Sequence, residues 1–163
     1  MKKVFIIAFI FLNTFGYSQT GIEWNEDYVL QLSDFQSPAT KIGNVNIYSL
    51  HSGITMNFMY QMSNAEFMFK KNFNSAVKCV FNRNAASIIA PDTAIALCLL
   101  DFARFEFDLT ELYTRKFRKK MFEEKGAFSG SDFFEPIFNK IQAELNVQIA
   151  NAGNKTDLGR NKN

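Results

Sequence analysis

The chain has 163 residues, with 18 Lys and Arg against 16 Asp and Glu. Lys2 and Lys3 lie in an opening segment that reads as removable, and its loss would leave 16 basic residues facing 16 acidic ones. A formally neutral chain gives no global charge for holding nucleic acid, so no nucleic-acid partner is expected.

The opening segment has the physics of a signal peptide. Lys2 and Lys3 form a charged start, and Val4 to Leu12 form an apolar run too short to cross a bilayer. Gly16 and Ser18 then supply the small residues of a cleavage site. Residues 1–18 are therefore expected to be removed, leaving Gln19 first and the protein exported to the periplasm or beyond the cell. No cysteine lies near this site, so no lipid anchor is expected, and no later run approaches the ~18 uninterrupted apolar residues of a membrane span. The remaining chain, about 145 residues, suits one domain with a single core.

Residues 19–43 read as extended or irregular, with a turn at Ser37-Pro38. Four strand-like runs follow: Asn44–Leu50, Ile54–Met62, Glu66–Lys71 and Ser75–Asn82. Ser52-Gly53, Ser63-Asn64 and 72–74 separate them at hairpin lengths, which predicts a small, mostly antiparallel sheet of about four strands. Pro91-Asp92 opens a helix whose apolar positions include Ile95, Cys98, Phe102, Phe105, Leu109, Leu112, Tyr113, Phe117 and Met121. Lys119, Lys120 and Lys125 complement its negative end, and Gly126 suits its cap. At about 33 residues it would be about 50 Å long. A second helix is expected from about Ser131 to Ala150, carrying Phe134, Ile137, Phe138, Ile141, Leu145 and Ile149 inward. The fold class is therefore α+β: one domain over residues 19–150, followed by a polar, flexible tail over 151–163.

The 19 phenylalanines of the chain make a stable core attainable without a metal, each fully buried ring contributing roughly 1.5–3 kcal/mol. Cys79 and Cys98 are the two cysteines. In an oxidising compartment they could join a strand to the long helix, and equally they could stay free as small apolar residues; sequence leaves both open.

The stretch from Leu99 to Tyr113 carries a more specific pattern. Phe107, Asp108, Glu111, Leu112, Tyr113, Arg115, Lys116 and Arg118 stand as they do in Leu-Leu-x-His-Glu-x-x-His-Phe-Asp-x-x-Glu-Leu-Tyr-x-Arg-Lys-x-Arg. That helix belongs to a family of small secreted bacterial proteins classed as zinc-dependent proteases of unknown function, which the chain resembles. Further likenesses run along the chain: Trp24, Leu30 and Asp34-Phe35 near its start, Ser52-Gly53-Ile54, Phe81 to Ile89, and Asn154 to Gly159. Departures include Tyr28, Leu32, Ser37 and Ile88. The resemblance implies a zincin-like scaffold, with zinc in intact relatives. Here, however, Phe102 and Glu106 occupy the two histidine positions, Ala103 occupies the general-base position, and Leu158 occupies a further ligand position.

Zinc hydrolysis needs two or three imidazole or carboxylate ligands and a base for the bound water. His51 is the sole histidine, at a strand end where the pattern asks for no ligand. A carboxylate site built from Asp101, Asp108 and Glu111 is the alternative. Asp101 and Asp108 share a helix face, as do Asp108 and Glu111, but such all-oxygen sites suit calcium or magnesium and usually use loops. The basic run from Arg115 to Lys120 reads as a solvated helix face, diluted by Glu123 and Glu124. The resulting expectation is an exported, catalytically inactive zinc-protease-like domain without a catalytic zinc site of its own. It would bind an envelope protein or peptide, or serve structurally; a residual hydrolase using carboxylate ligands is the alternative.

Overall fold

Two strands fold back on two others to make a bent antiparallel ribbon that organises the whole protein. In the computed structural model, which describes residues 20–59, 61–126, 129–130 and 132–161, β3 (Ser49–His51) pairs with β6 (Ser87–Ala90). β4 (Ile54–Phe58) pairs with β5 (Val77–Asn82). The register places His51 opposite Ser87 and Ile54 opposite Phe81. Ser52-Gly53 on one side thus faces the longer crossing through Asn82 and Ala86 on the other, and the ribbon kinks there. Gly53 has φ +62°, and a Cβ on it would lie 2.9 Å from the Asn82 carbonyl oxygen and 3.0 Å from the Ala86 nitrogen. The kink therefore requires glycine.

β1 (Gly21–Glu23) adds antiparallel to β5, and β2 (Lys41–Ile42) adds parallel to β6. The path β5–β6 is thus the middle strand of two three-stranded sheets, ordered β1-β5-β4 and β2-β6-β3. The α+β class stands, but the expected single meander is two small sheets, one of them mixed. β1, β2 and β6 were not anticipated, because two to four residues carry too little periodicity to separate a strand from a loop. The expected signal peptide lies outside the described residues.

The segment Glu66–Lys71, read as a strand, is helical: α1 spans Asn64–Phe69. Ser63 Oγ accepts from the Glu66 N–H at 3.2 Å while Glu66 accepts from the Ser63 N–H at 2.8 Å. That reciprocal cap satisfies two helix-start donors and overrides the weak alternation. α2 runs Thr93–Glu124, with Asp92 rather than Pro91 at its start, accepting from the Ile95 N–H at 2.8 Å. α3 runs Phe134–Thr156, well past the expected end at Ala150. Beyond it, Asp157, Leu158 and Gly159 all have positive φ. The Leu158 N–H bonds the Gly153 carbonyl, and the Gly159 N–H bonds Thr156 Oγ1. The segment read as a flexible tail is therefore, as far as Asn161, helix followed by a hydrogen-bonded turn.

α2 lies across both sheets and carries two core clusters. Its first half packs Leu99, Leu100, Ala103 and Phe107 with Phe35, Phe81 and Ile88; its second half packs Phe117 and Met121 with Phe67, Phe73, Val77, Ile141 and Leu145. Phe105 and Leu112, expected inside, are half-exposed. Ala96, Ala103, Thr110 and Thr114 take buried positions instead, since small residues allow the helix to approach its neighbours closely. No helix among the described residues is long and apolar enough to cross a membrane.

Candidate functional site

Phe102, Ala103 and Glu106 project from the middle of α2 toward the kink of the ribbon and the turn after α3. Ala103 is fully buried and Phe102 is 5% exposed. The Phe102 ring lies 5.7 Å from that of Phe105. At Gly153 an added Cβ would meet both Leu158, at 3.3 Å, and Phe102, at 3.4 Å. The structure therefore brings Phe102 and Leu158 to the same spot from positions 56 apart in sequence. Gly159 completes the closure: with φ +84°, its Cβ would stand 2.7 Å from the Cys98 carbonyl oxygen and 3.5 Å from Phe102. Only glycine lets the turn settle onto α2 here.

Glu106 is the polar member of this group. Ser52 Oγ donates to its Oε1 at 2.7 Å, and Ser52 itself is buried. Burial pushes the Glu106 carboxyl above the usual range, opposed by the Ser52 hydrogen bond and by the charge of nearby His51. Ser52 is thus the residue that holds Glu106, a role its sequence neighbourhood did not reveal. Alongside, Tyr48 donates to Asp157 at 2.9 Å, and the Arg160 guanidinium stacks on the Tyr48 ring at 3.7 Å while pairing with Asp157. These contacts fasten the turn to the approach of β3.

The three carboxylates of the alternative metal site do not converge. Asp101 pairs with Arg104 at 2.8 Å, and Arg104 also donates twice to the Leu30 carbonyl. Asp108 accepts from Trp24 Nε1 at 2.9 Å. Glu111, buried, receives Arg115 and Arg118, each at 2.9 Å, and Arg118 donates twice more to the Val77 carbonyl. Among the described residues no group of three or more His, Cys, Asp or Glu is placed to hold a metal ion. Zinc, implied by the resemblance for intact relatives, is not suited by the donors here. Phenyl, methyl and isobutyl groups at Phe102, Ala103 and Leu158 offer no lone pair, and the single carboxyl of Glu106 is engaged by Ser52.

Cys79 and Cys98 are free thiols. Cys79 Sγ lies 3.8 Å from the Phe107 carbonyl oxygen, nine residues along α2 from Cys98; at 1.5 Å per residue that separation is about 13 Å, too far for a bridge. Burial drives the Cys79 thiol strongly upward, so it stays protonated as a small core residue.

The opening motif has a structural use. The buried carboxylate of Asp34 accepts from the Tyr28 hydroxyl at 2.9 Å and from the Gln31 N–H at 2.8 Å, and pairs with Arg83 at 3.1 Å. Phe35 meets Phe81 edge-on at 5.2 Å. Arg115 lies over the Trp24 ring at 4.9 Å. Trp24, Asp34 and Phe35 thereby dock the first irregular segment onto β5 and α2.

Two surface recesses are not lined by Phe102. One of about 710 Å³ runs between the end of α2 and the start of α3, floored by Ile137 and Ile141. Another, of about 380 Å³, sits by Trp24, Val29 and Arg104. No family model, curated protein or solved structure matches the chain.

Proposed function

We propose that this chain is an exported, catalytically inactive counterpart of the small zinc-dependent proteases, with a zincin-like scaffold and a binding or structural role in the cell envelope. Phe102 carries the reading. A benzyl group stands where the resembling pattern has its first metal-binding histidine, and it is packed rather than open, closed over by Gly153, Leu158 and Gly159. A side chain without a donor atom that also fills its own space leaves room neither for a metal nor for its water. The carboxylate alternative has less support, because Asp101, Asp108 and Glu111 each serve a different partner.

Elemental analysis of the protein purified from Gln19 onward tests the proposal. No stoichiometric zinc is expected, with thermal unfolding unchanged by chelator; one tightly held zinc per chain would overturn it. The variant combining Phe102→His, Ala103→Glu and Glu106→His places two imidazoles one turn apart on one helix face. It is expected to bind zinc weakly and to lack strong peptidase activity, since Leu158 still occupies the third position.

A further inference from the structure

Among the described residues, no backbone hydrogen bond ties the turn after α3 to α2 or β3. Its backbone donors all bond inward. The Asp157 and Leu158 N–H groups meet the Gly153 carbonyl, Gly159 meets Thr156 Oγ1, Arg160 meets the Asp157 carbonyl and Asn161 that of Thr156. What crosses to the rest of the molecule is packing and side-chain contact. Leu158 lies beside Phe102 at Gly153, Gly159 rests on the Cys98 carbonyl, and Arg160 stacks on Tyr48, whose hydroxyl donates to Asp157. The polar part of this fastening stays in water: Tyr48 is 36% exposed, and the Arg160 and Asp157 side chains 29% and 32%. Ion pairs so placed hold weakly. Asp157 and Leu158 also stand at φ +49° and +53°, a backbone that is unfavourable for any residue with a side chain. Strained residues with weak fastenings open locally more readily than a packed core does.

We propose that residues 157–161 are an autoinhibitory cover, the chain's own occupant of a pocket that takes a peptide segment with an apolar residue, a glycine and an arginine in succession. The seated turn defines the ligand. Leu158 shows that the floor at Phe102 accepts a branched apolar side chain. The next position must be glycine, since a Cβ there would stand 2.7 Å from the Cys98 carbonyl oxygen. After it, the Tyr48 ring takes a guanidinium at 3.7 Å, which also donates to the Tyr48 hydroxyl at 3.0 Å. Being tethered, the turn competes at high effective concentration and must lift before the pocket takes an external segment. This cover deepens the binding role set out above and rests on that reading. Zinc analysis addresses the metal position, whereas the measurements below read only the turn.

Gly159→Ala should lift the cover while leaving Phe102 in place, because the added methyl collides with α2. A synthetic peptide of residues 154–161, titrated into the intact Gly159→Ala chain, should give saturable shifts of the Tyr48, Cys98 and Phe102 amide signals in nuclear magnetic resonance. Wild type, with its pocket filled, should bind the same peptide at least about tenfold more weakly. A peptide carrying Leu158→Ser should lose at least about tenfold in affinity for the opened chain, as one buried apolar side chain warrants. In the wild-type protein, the amides of Leu158 to Asn161 should exchange with solvent at rates that low urea leaves unchanged. Those of Phe107 to Thr114 should exchange more slowly, through global unfolding. Arg160→Ala should speed exchange in the turn about fivefold, the size of one partly exposed cation–π contact. No saturable binding, equal binding by wild type, or indifference to Leu158→Ser would overturn the proposal. So would exchange of the turn and α2 in a single step, or a Gly159→Ala chain that unfolds throughout, since the turn would then be part of the core.

Discussion

Glu106 and Glu111 lie five residues apart on one helix, and their surroundings are opposite. Glu111 is buried yet receives two guanidinium groups, and one of these, Arg118, also ties α2 to the Val77 carbonyl at the start of β5. Glu106 is half-buried with a neutral hydroxyl, that of Ser52, as its hydrogen-bond donor, and partial burial makes it hold its proton more tightly than usual. The difference shows what a buried carboxyl requires. Near Glu111, long arginine stems cover the charge while their heads reach solvent. Near Glu106, no arginine or lysine pairs with the carboxyl among the described residues; Ser52 and the charge of His51 oppose the effect of burial. One stretch of α2 is an electrostatic clamp, and the other is a packed apolar plug with one carboxyl left at its edge.

The plug can be broken most directly by Phe102→Ala. Truncation of a large buried ring should destabilise the fold by about 3–5 kcal/mol, with Phe105→Ala, half-exposed, as a mild control. Thermal unfolding measures both. An unchanged melting temperature for Phe102→Ala would mean that the position lines an open cleft.

A smaller loss is expected from the clamp. Glu111→Gln keeps the shape but removes the charge that Arg115 and Arg118 share, which should reduce stability by about 2 kcal/mol. That lies below the range for breaking a fully buried pair, because both arginines retain contact with water. Urea unfolding at low and high salt checks this, and a neutral substitution at both ionic strengths would make the pairing incidental.

The smallest effect, and the one that sharpens the contrast, is in pH dependence. Because the folded-state pKa of Glu106 lies above its ordinary value of 4.5, the folded protein takes up this proton more readily than the unfolded chain. Its contribution is therefore most favourable below that ordinary value and is lost as pH rises through the folded pKa. Glu106→Gln should flatten this slope and leave the protein slightly more stable at neutral pH, whereas Glu111→Gln should not. Stability curves across the acid range that coincide for wild type and Glu106→Gln would show that this carboxyl is solvated in the folded state.

Part of the grouping around Phe102 was legible in the sequence. The pattern around α2 pointed to Phe102, Ala103, Glu106 and Leu158 as one group, and the fold brings Phe102 and Leu158 together at Gly153. Ser52 escaped because a hydrogen bond between a strand-end hydroxyl and a helix carboxyl leaves no local trace in either segment.

By itself the sequence determined the α+β class and the long α2, because a helix of that length repeats its period many times over. It also carried the capping box at Ser63 and Glu66, a local chemistry that overrode an alternating pattern once formed. Only the tertiary structure decided which side of α2 is buried. The helix packs against two sheets and α3 together, so apolar residues surround it and periodicity alone does not single out Phe105 and Leu112 as the half-exposed ones. It also decided the turn after Thr156. Three successive residues there adopt positive φ, and that backbone persists because Gly159 fits against the Cys98 carbonyl and Arg160 closes on Tyr48 and Asp157, contacts made with segments far away in the chain.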